Sequence, residues 1–283
     1  MAAAAGVTAP KGFVASGVHA GIRRSSKDLA VFRSEAPSVG AAMFSRNKVQ
    51  AACLLVNRDH VAQAEPQAVV VNSGVANSAT GERGKLDALA TAAEAARLLE
   101  LQTEQVIVLS TGVIGVRLPL DRVLTGLRTA VPAMSVEGGD AAAEAIMTTD
   151  TKPKTTAISR GGFTVGGMAK GAGMIHPDLA TMLGFVTTDY PLEPGEAIEF
   201  LRPAVEKSFN AISVDGEPST NDCVILLANG ASGAKRDDEA FASAPVTGSS
   251  ARASPSSPRS PSPAPRTTSR RRRSRCAARP RRS

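Results

Sequence analysis

Residues 68–72 read Ala-Val-Val-Val-Asn and residues 105–110 read Gln-Val-Ile-Val-Leu-Ser, and these two apolar runs decide the class of fold. Short continuous runs rich in β-branched residues are typical of buried strands. Between them lies the Ala- and Leu-rich segment 85–101, which predicts a helix. Its apolar residues at helical spacing are Leu86, Leu89, Ala93 and Ala96. The order strand, helix, strand predicts a mixed α/β fold.

The alternation of strands and helices continues along the chain. Helices are predicted over residues 118–131, 139–147 and 196–209, the last with a kink at Pro203. Further strands are predicted over residues 163–168 and 222–229. Mixed elements with several Gly-rich turns predict layered sheets covered by helices.

The net charge of +7 is confined to one end of the chain. Residues 245–283 contain 11 Arg and no acidic residue, which leaves 22 basic and 26 acidic residues in residues 1–244. The body is therefore mildly acidic, and its charge gives no support to specific nucleic-acid binding.

The segment 245–283 differs in composition from the rest of the chain. It contains 10 Ser and 7 Pro, and no Leu, Ile, Phe or Met. Such a segment buries too little apolar surface to offset its ordering entropy, so we expect it to be disordered. Two origins remain open: a native basic tail that binds anionic surfaces non-specifically, or a GC-rich gene read out of frame.

The sequence contains no sign of a membrane span or of a metal site. No apolar run approaches 18 residues, and the cysteines, Cys53, Cys223 and Cys276, are far apart. The histidines do not stand at metal-ligand spacing. We therefore expect a cytoplasmic protein without a metal site.

Four segments are unusually rich in Gly, Ser, Thr and Asn: residues 72–77, 110–115, 170–183 and 213–222. Small polar residues at strand ends are common places for functional sites. Ser110-Thr111-Gly112 can direct a hydroxyl and backbone N–H groups at an oxyanion. The alternative is a simple turn that opens the next helix.

Thr181, in the third segment, is a candidate nucleophile. A Thr hydroxyl gains an adjacent base when the residue becomes a chain N-terminus, because its own α-amine takes that role. Cleavage between Ala180 and Thr181 would have to come first. The alternative is that Thr181 is a helix N-cap or a strand residue.

Together the segments resemble the bifunctional ornithine acetyltransferases of arginine biosynthesis, the ArgJ family. The similar motifs, which span most of residues 6–235, lie at residues 6–13, 72–81, 110–115, 148–151, 170–183 and 208–230. Departures from the family pattern occur at Val75, Ser78, Ala79 and Asp178. The largest departure is at the C-terminus, where family members continue with a further folded region. We therefore expect this chain to be truncated or frameshifted there.

The resemblance implies an Ntn-hydrolase-like α/β fold that cuts itself between Ala180 and Thr181. Residues 1–180 would form an α chain, and residues 181–244 would begin a β chain. Thr181 would carry an acetyl group from N-acetyl-L-ornithine to L-glutamate in a ping-pong reaction. By resemblance, Thr111 and Gly112 stabilise the oxyanion, while Thr149, Lys170 and Thr181 bind the substrate.

The resemblance also implies a reaction that needs no metal or organic cofactor. Acetyl-CoA is a possible alternative acetyl donor, and the family assembles as a heterotetramer of two α and two β chains. An N-terminal-nucleophile amidohydrolase is the alternative function, with water as the acyl acceptor. An inactive frameshifted product is the other alternative.

Overall fold

Two β-sheets form the centre of the fold in this computed structural model, which describes residues 6–173, 182–215, 217 and 219–244. In chain order, the strands are β1 (Phe13–Val18), β2 (Leu29–Ser34), β3 (Val39–Phe44), β4 (Ala68–Val75), β5 (Val106–Val113), β6 (Lys154–Arg160), β7 (Phe163–Lys170), β8 (Leu183–Thr188) and β9 (Cys223–Ala228). The first sheet has the order β1-β2-β4-β5 and the second has the order β3-β9-β8-β7-β6.

Helices cover the outer faces of both sheets. They are α1 (Ala52–Val61), α2 (Gly81–Leu99), α3 (Leu120–Ala130), α4 (Gly139–Ala145), α5 (Ala197–Lys207) and α6 (Asp238–Ala242). Helices α2, α3 and α4 pack on the first sheet, and α5 packs on the second. The layers therefore run helix, sheet, sheet, helix. Among the described residues, no helix is both long and apolar enough to cross a bilayer.

The two sheets pack against each other through alternate residues of their strands. In β9, the side chains that join the core shared with the first sheet are Cys223, Ile225 and Leu227, whereas those that pack with α5 are Val224, Leu226 and Ala228. Phe32 of the first sheet and Phe185 of the second meet edge to face with ring centroids 5.3 Å apart. A strand buried on both faces reads as a continuous apolar run, which explains the sequence of β9.

Strand β5 lies at an edge of the first sheet, and helix α1 covers it. The Asn57 side chain donates to the Val108 carbonyl at 2.8 Å and accepts from the Val108 N–H at 2.9 Å. The His60 ring bonds the Val106 carbonyl at 2.8 Å. These contacts satisfy backbone groups that an uncovered edge would leave free. They also hold β5 in place.

The apolar runs at residues 68–72 and 105–110 lie in strands β4 and β5, as predicted, but both strands extend further toward the C-terminus. Strand β5 continues through Val113, and the next helix begins only at Leu120. The alternative of a simple turn at Ser110-Thr111-Gly112 is therefore wrong. Pairing with β4 keeps these residues extended despite their small, polar side chains.

The predicted helix over residues 85–101 is α2, and two residues of the expected apolar row, Leu89 and Ala96, pack in the core. Leu86 is 50% exposed and Ala93 is exposed. The side chains that α2 buries against the fold include Ala88, Ala92, Ala95 and Leu99. Three of these four side chains are alanines, whose small size lets the helix lie close to its neighbours.

The other predicted elements are present with bounds that differ by a few residues. Pro203 lies inside α5, and the helix continues beyond it to Lys207. No prediction covered strands β1, β2, β3, β6 and β8 or helices α1 and α6. The predicted disordered segment 245–283 lies outside the described residues.

Candidate active site

Lys170 and Thr111 meet where the ends of the two sheets come together. Lys170 ends β7, Thr111 lies in β5, and both side chains are buried. The Lys170 ammonium Nζ donates to Thr111 Oγ1 at 3.0 Å. An ammonium only donates, so Thr111 Oγ1 is the acceptor and its own proton stays available for another oxygen. The site therefore presents a hydroxyl donor, as an oxyanion requires.

The charges of two carboxylates, Asp150 and Asp222, act on the Lys170 ammonium. Burial lowers the pKa of Lys170, while the negative charges of Asp150 and Asp222 raise it and the positive charge of Lys154 lowers it further. The net direction is downward. A buried ammonium that stays charged can form a charge-assisted hydrogen bond with an anionic group, such as a carboxylate.

Asp150 ties the loop that contains Thr149 to the end of β7. Its Oδ1 accepts the Gly171 N–H at 2.9 Å and the Lys154 ammonium, which also donates to the Gly171 carbonyl at 2.9 Å. Burial raises the pKa of Asp150, but these hydrogen bonds outweigh burial and hold the pKa below its usual value. Thr149 is exposed beside this anchor. The loop thus places Thr149 next to the strand end that carries Lys170.

Gly112 follows Thr111 and faces Gly74 of the neighbouring strand in parallel register. Its φ is +135°, and a Cβ at this position would lie 2.3 Å from the Gly74 carbonyl carbon. Any side chain would therefore push β4 and β5 apart. Close approach of the two strands is a second reason for glycine here, beyond the oxyanion role implied by the family resemblance.

Asn221 joins the second sheet to the ends of β4 and β5. Its Nδ2 donates to the Ala76 carbonyl at 2.7 Å and to the Ser110 carbonyl at 2.8 Å. Ser110 in turn donates through its hydroxyl to Asn72 Oδ1 at 2.6 Å. This buried network fixes the backbone just before Thr111. Asn72 and Asn221 both lie in the polar segments, but the sequence assigned neither a role.

Asp222 was also missed, and it binds the residue next to the candidate nucleophile. Its Oδ1 accepts the Met182 N–H at 3.1 Å, and the side chain is buried. Burial raises the pKa of Asp222 to about 7, although hydrogen bonds from Met182 and Ser219 and the charge of Lys170 oppose the rise. The sequence signal for Asp222 is its position at the end of the polar segment 213–222.

Ala180 and Thr181 lie outside the described residues, within the gap at 174–181. Their described neighbour Met182 is held by Asp222, and Leu183 opens β8 opposite Lys170 in the β7–β8 pairing. The chain therefore resumes, one residue after Thr181, at the strand end that carries Lys170.

Comparison with solved structures first defines the class of fold. An ornithine acetyltransferase from Mycobacterium tuberculosis, solved in complex with ornithine, is 47% identical with a TM-score of 0.59; the match covers 62% of this chain and 95% of that one. The arginine biosynthesis bifunctional protein ArgJ from Bacillus halodurans is 39% identical with a TM-score of 0.54, over 62% and 94% of the two chains. The predicted α/β fold of layered sheets with covering helices, the fold of the ornithine acetyltransferases, is confirmed.

The family follows from the sequence match. Residues 14–248 match the ArgJ family model, so the chain belongs to the ArgJ family. The ArgJ bifunctional protein of Symbiobacterium thermophilum is 52% identical over 82% of this chain and 60% of that protein. The corresponding protein of Caldanaerobacter subterraneus is 48% identical over 78% and 56%. The chain thus spans about 60% or less of the length of these relatives.

Proposed function

We propose that this chain is an acetyltransferase of arginine biosynthesis that transfers an acetyl group from N-acetyl-L-ornithine to L-glutamate. The observation that carries the proposal is the buried contact between Lys170 and Thr111. It combines a cation suited to a substrate carboxylate with a hydroxyl donor suited to an oxyanion. Family membership supports the same reaction.

The nucleophile is generated by self-cleavage. The Thr181 hydroxyl attacks the Ala180 carbonyl carbon, and the C–N bond breaks as the ester forms. Water then hydrolyses the ester, which leaves a carboxylate on Ala180 and a free α-amine on Thr181. Strand β8 pairs with both β7 and β9, which supports the proposal because the two products would stay joined in one sheet.

The transfer then proceeds in two half-reactions. The α-amine accepts the hydroxyl proton of Thr181 while the oxygen attacks the acetyl carbonyl of N-acetylornithine. The Thr111 hydroxyl and the Gly112 backbone stabilise the oxyanion, with about 3–4 kcal/mol expected from one donor. Ornithine leaves with the proton, and the glutamate amine then attacks acetyl-Thr181. The products are N-acetylglutamate and the restored hydroxyl.

Substrate binding is assigned to Lys170, Thr149 and Thr181. The buried Lys170 ammonium can pair with the carboxylate of the amino-acid substrate. The solved complex of the Mycobacterium tuberculosis relative with ornithine supports a substrate of this class. The reaction needs no metal or organic cofactor, although acetyl-CoA is an alternative donor for glutamate. We further propose a cytoplasmic heterotetramer of two α and two β chains.

The partition of the acetyl group tests this function. The purified chain is incubated with N-acetylornithine labelled in the acetyl group, with and without glutamate, and the labelled products are separated. Acetyl transfer predicts labelled N-acetylglutamate in amounts that follow the glutamate concentration. Labelled acetate formed at the same rate with or without glutamate would instead identify an amidohydrolase. Release of neither product would identify an inactive chain.

A further inference from the structure

Asn221 is joined by hydrogen bonds to the backbone on both sides of the Thr111-Gly112 pair. Its Nδ2 donates at 2.8 Å to the carbonyl of Ser110, directly before the pair. Nδ2 also donates at 2.7 Å to the carbonyl of Ala76, whose own N–H donates at 2.9 Å to the carbonyl of Val113, directly after the pair. One side-chain amide therefore brackets the two candidate oxyanion residues.

The orientation of the Asn221 amide follows from its partners. Ser110 and Ala76 present carbonyl oxygens, which only accept, so the NH₂ group must face them. The Asn221 Oδ1 in turn accepts the Thr220 hydroxyl at 2.6 Å. Asn221 is 6% exposed, and the residues with the two carbonyls are buried as well. Removal of the amide would take this donor from two buried acceptors, which allows the backbone there to shift.

The edge of β5 that α1 covers presents backbone groups at every second residue. Asn57 bonds the N–H and the carbonyl of Val108 on this edge, and Asn221 bonds the Ser110 carbonyl. Alternate residues of an extended strand direct their N–H and C=O groups to the same edge, so the next group in the row is the Gly112 N–H. The Ser110 carbonyl and the Gly112 N–H thus flank the residue between them. A donor that holds the carbonyl also restrains the direction of the N–H.

We propose that Asn221 is the positioning residue for the two oxyanion donors, the Thr111 hydroxyl and the Gly112 N–H. It acts through the backbone before and after them, while Lys170 donates to the Thr111 hydroxyl itself. A displacement of about 1 Å can lower a catalysed rate by about 10², so a residue that only fixes backbone can still determine the rate. This inference rests on the proposed function, because it takes the pair as the oxyanion donors of acetyl transfer.

The test compares Asn221→Ala with Asn57→Ala in the full chain. Asn57 is the matched control because it is also a buried asparagine that bonds the backbone of β5, but at Val108, before the bracketed pair. Initial rates of labelled N-acetylglutamate formation give kcat and the KM for N-acetylornithine. Urea denaturation gives the folded fraction of each variant, and kcat is expressed per folded chain.

The expected result is a loss of rate that the control does not share. Asn221→Ala should lower kcat by about 10-fold to 10²-fold, because displaced donors stabilise the transition state less well. Its KM for N-acetylornithine should stay within about threefold, since oxyanion donors contribute little to ground-state binding. Asn57→Ala should keep kcat within about threefold, although it also loses hydrogen bonds to β5.

A double-mutant cycle with Thr111→Ala separates positioning from a general loss of structure. When Thr111 is already replaced, one of the donors that Asn221 positions is absent. Asn221→Ala should then lower kcat by a smaller factor than it does in the unaltered chain. A purely structural role predicts the same factor in both chains. If Asn221→Ala does not fold, Asn221→Ser takes its place in the cycle, because serine keeps one hydroxyl donor at this position.

The outcomes separate the two proposals. An active unaltered chain in which Asn221→Ala and Asn57→Ala lower kcat equally would overturn this inference alone. Equal factors in the two halves of the cycle would do the same. An unaltered chain that forms no N-acetylglutamate would overturn the proposed function and this inference with it.

Discussion

Lys170 donates a hydrogen bond to Thr111 although the two residues are 59 positions apart and lie in different sheets. The contact turns the Thr111 hydroxyl into an acceptor toward lysine and leaves its proton free for a further oxygen. Neighbouring contacts reinforce this arrangement, since Asn221 holds the Ser110 carbonyl and Asp150 holds Gly171. The backbone next to Thr111 and the backbone next to Lys170 are thus both held by hydrogen bonds before a substrate binds.

Replacing Thr111 by Ala should lower kcat by about 10²–10³ and leave KM for N-acetylornithine nearly unchanged. An oxyanion donor acts mainly in the transition state, so its loss changes the rate more than the binding. Steady-state kinetics measures both constants. Thr91→Ala is the matched control, because Thr91 is also buried but its hydroxyl donates only to the Asp87 carbonyl within α2. A normal kcat with a raised KM would make Thr111 a ground-state binding residue.

The change Thr181→Ala should abolish self-cleavage and acetyl transfer together, because the proposed nucleophile of both reactions is the same hydroxyl. A denaturing gel of the unaltered chain should show fragments of 180 and 103 residues, and the variant should run as a single chain of 283 residues. Persistence of the two fragments in Thr181→Ala would refute the assignment of the nucleophile.

The change Gly112→Ala should destabilise the fold by more than Gly115→Ala. Both glycines have positive φ, but a Cβ at Gly112 would lie 2.3 Å from the Gly74 carbonyl carbon, whereas Gly115 has open space around it. We expect about 1 kcal/mol for the backbone conformation at Gly115. At Gly112, the clash should add about 1–3 kcal/mol. Urea denaturation measures the free energies of unfolding, and equal losses in the two variants would contradict the close approach of β4 and β5.

Asp222 should make the uncut chain less stable as the pH rises. Its pKa is raised in the folded state from 3.8 to about 7, so the folded chain binds the proton more tightly than the unfolded chain does. The resulting stabilisation is complete below pH 4 and is lost as the pH rises through 7.

Chemical denaturation of Thr181→Ala across this pH range, with and without the additional change Asp222→Asn, isolates the contribution of this carboxyl group. The difference in unfolding free energy between the two chains should shift in favour of the Asn variant as the pH increases from 4 to 7. A difference that stays constant with pH would show that Asp222 is ionised in the folded, uncut chain.

Local patterns in the sequence were sufficient for the elements with strong apolar runs. The predicted elements include strands β4, β5 and β9 and helices α2 and α3. The strands have continuous apolar runs, and the helices have apolar residues at helical spacing. Short strands such as β1 (Phe-Val-Ala-Ser-Gly-Val) have no such pattern. Their extended conformation depends on pairing with residues far along the chain.

The sequence by itself determined the family, the layered α/β class and the candidate roles of Thr111 and Lys170, since these depend on residue types in a fixed order. Only the tertiary structure decided that Lys170 touches Thr111, that Asn221 holds Ser110 and that Asp222 holds Met182. Those contacts arise where β5 of one sheet meets β7 and β9 of the other. The register of strands and the packing of sheets are set by many distant residues at once, so no local spacing encodes them.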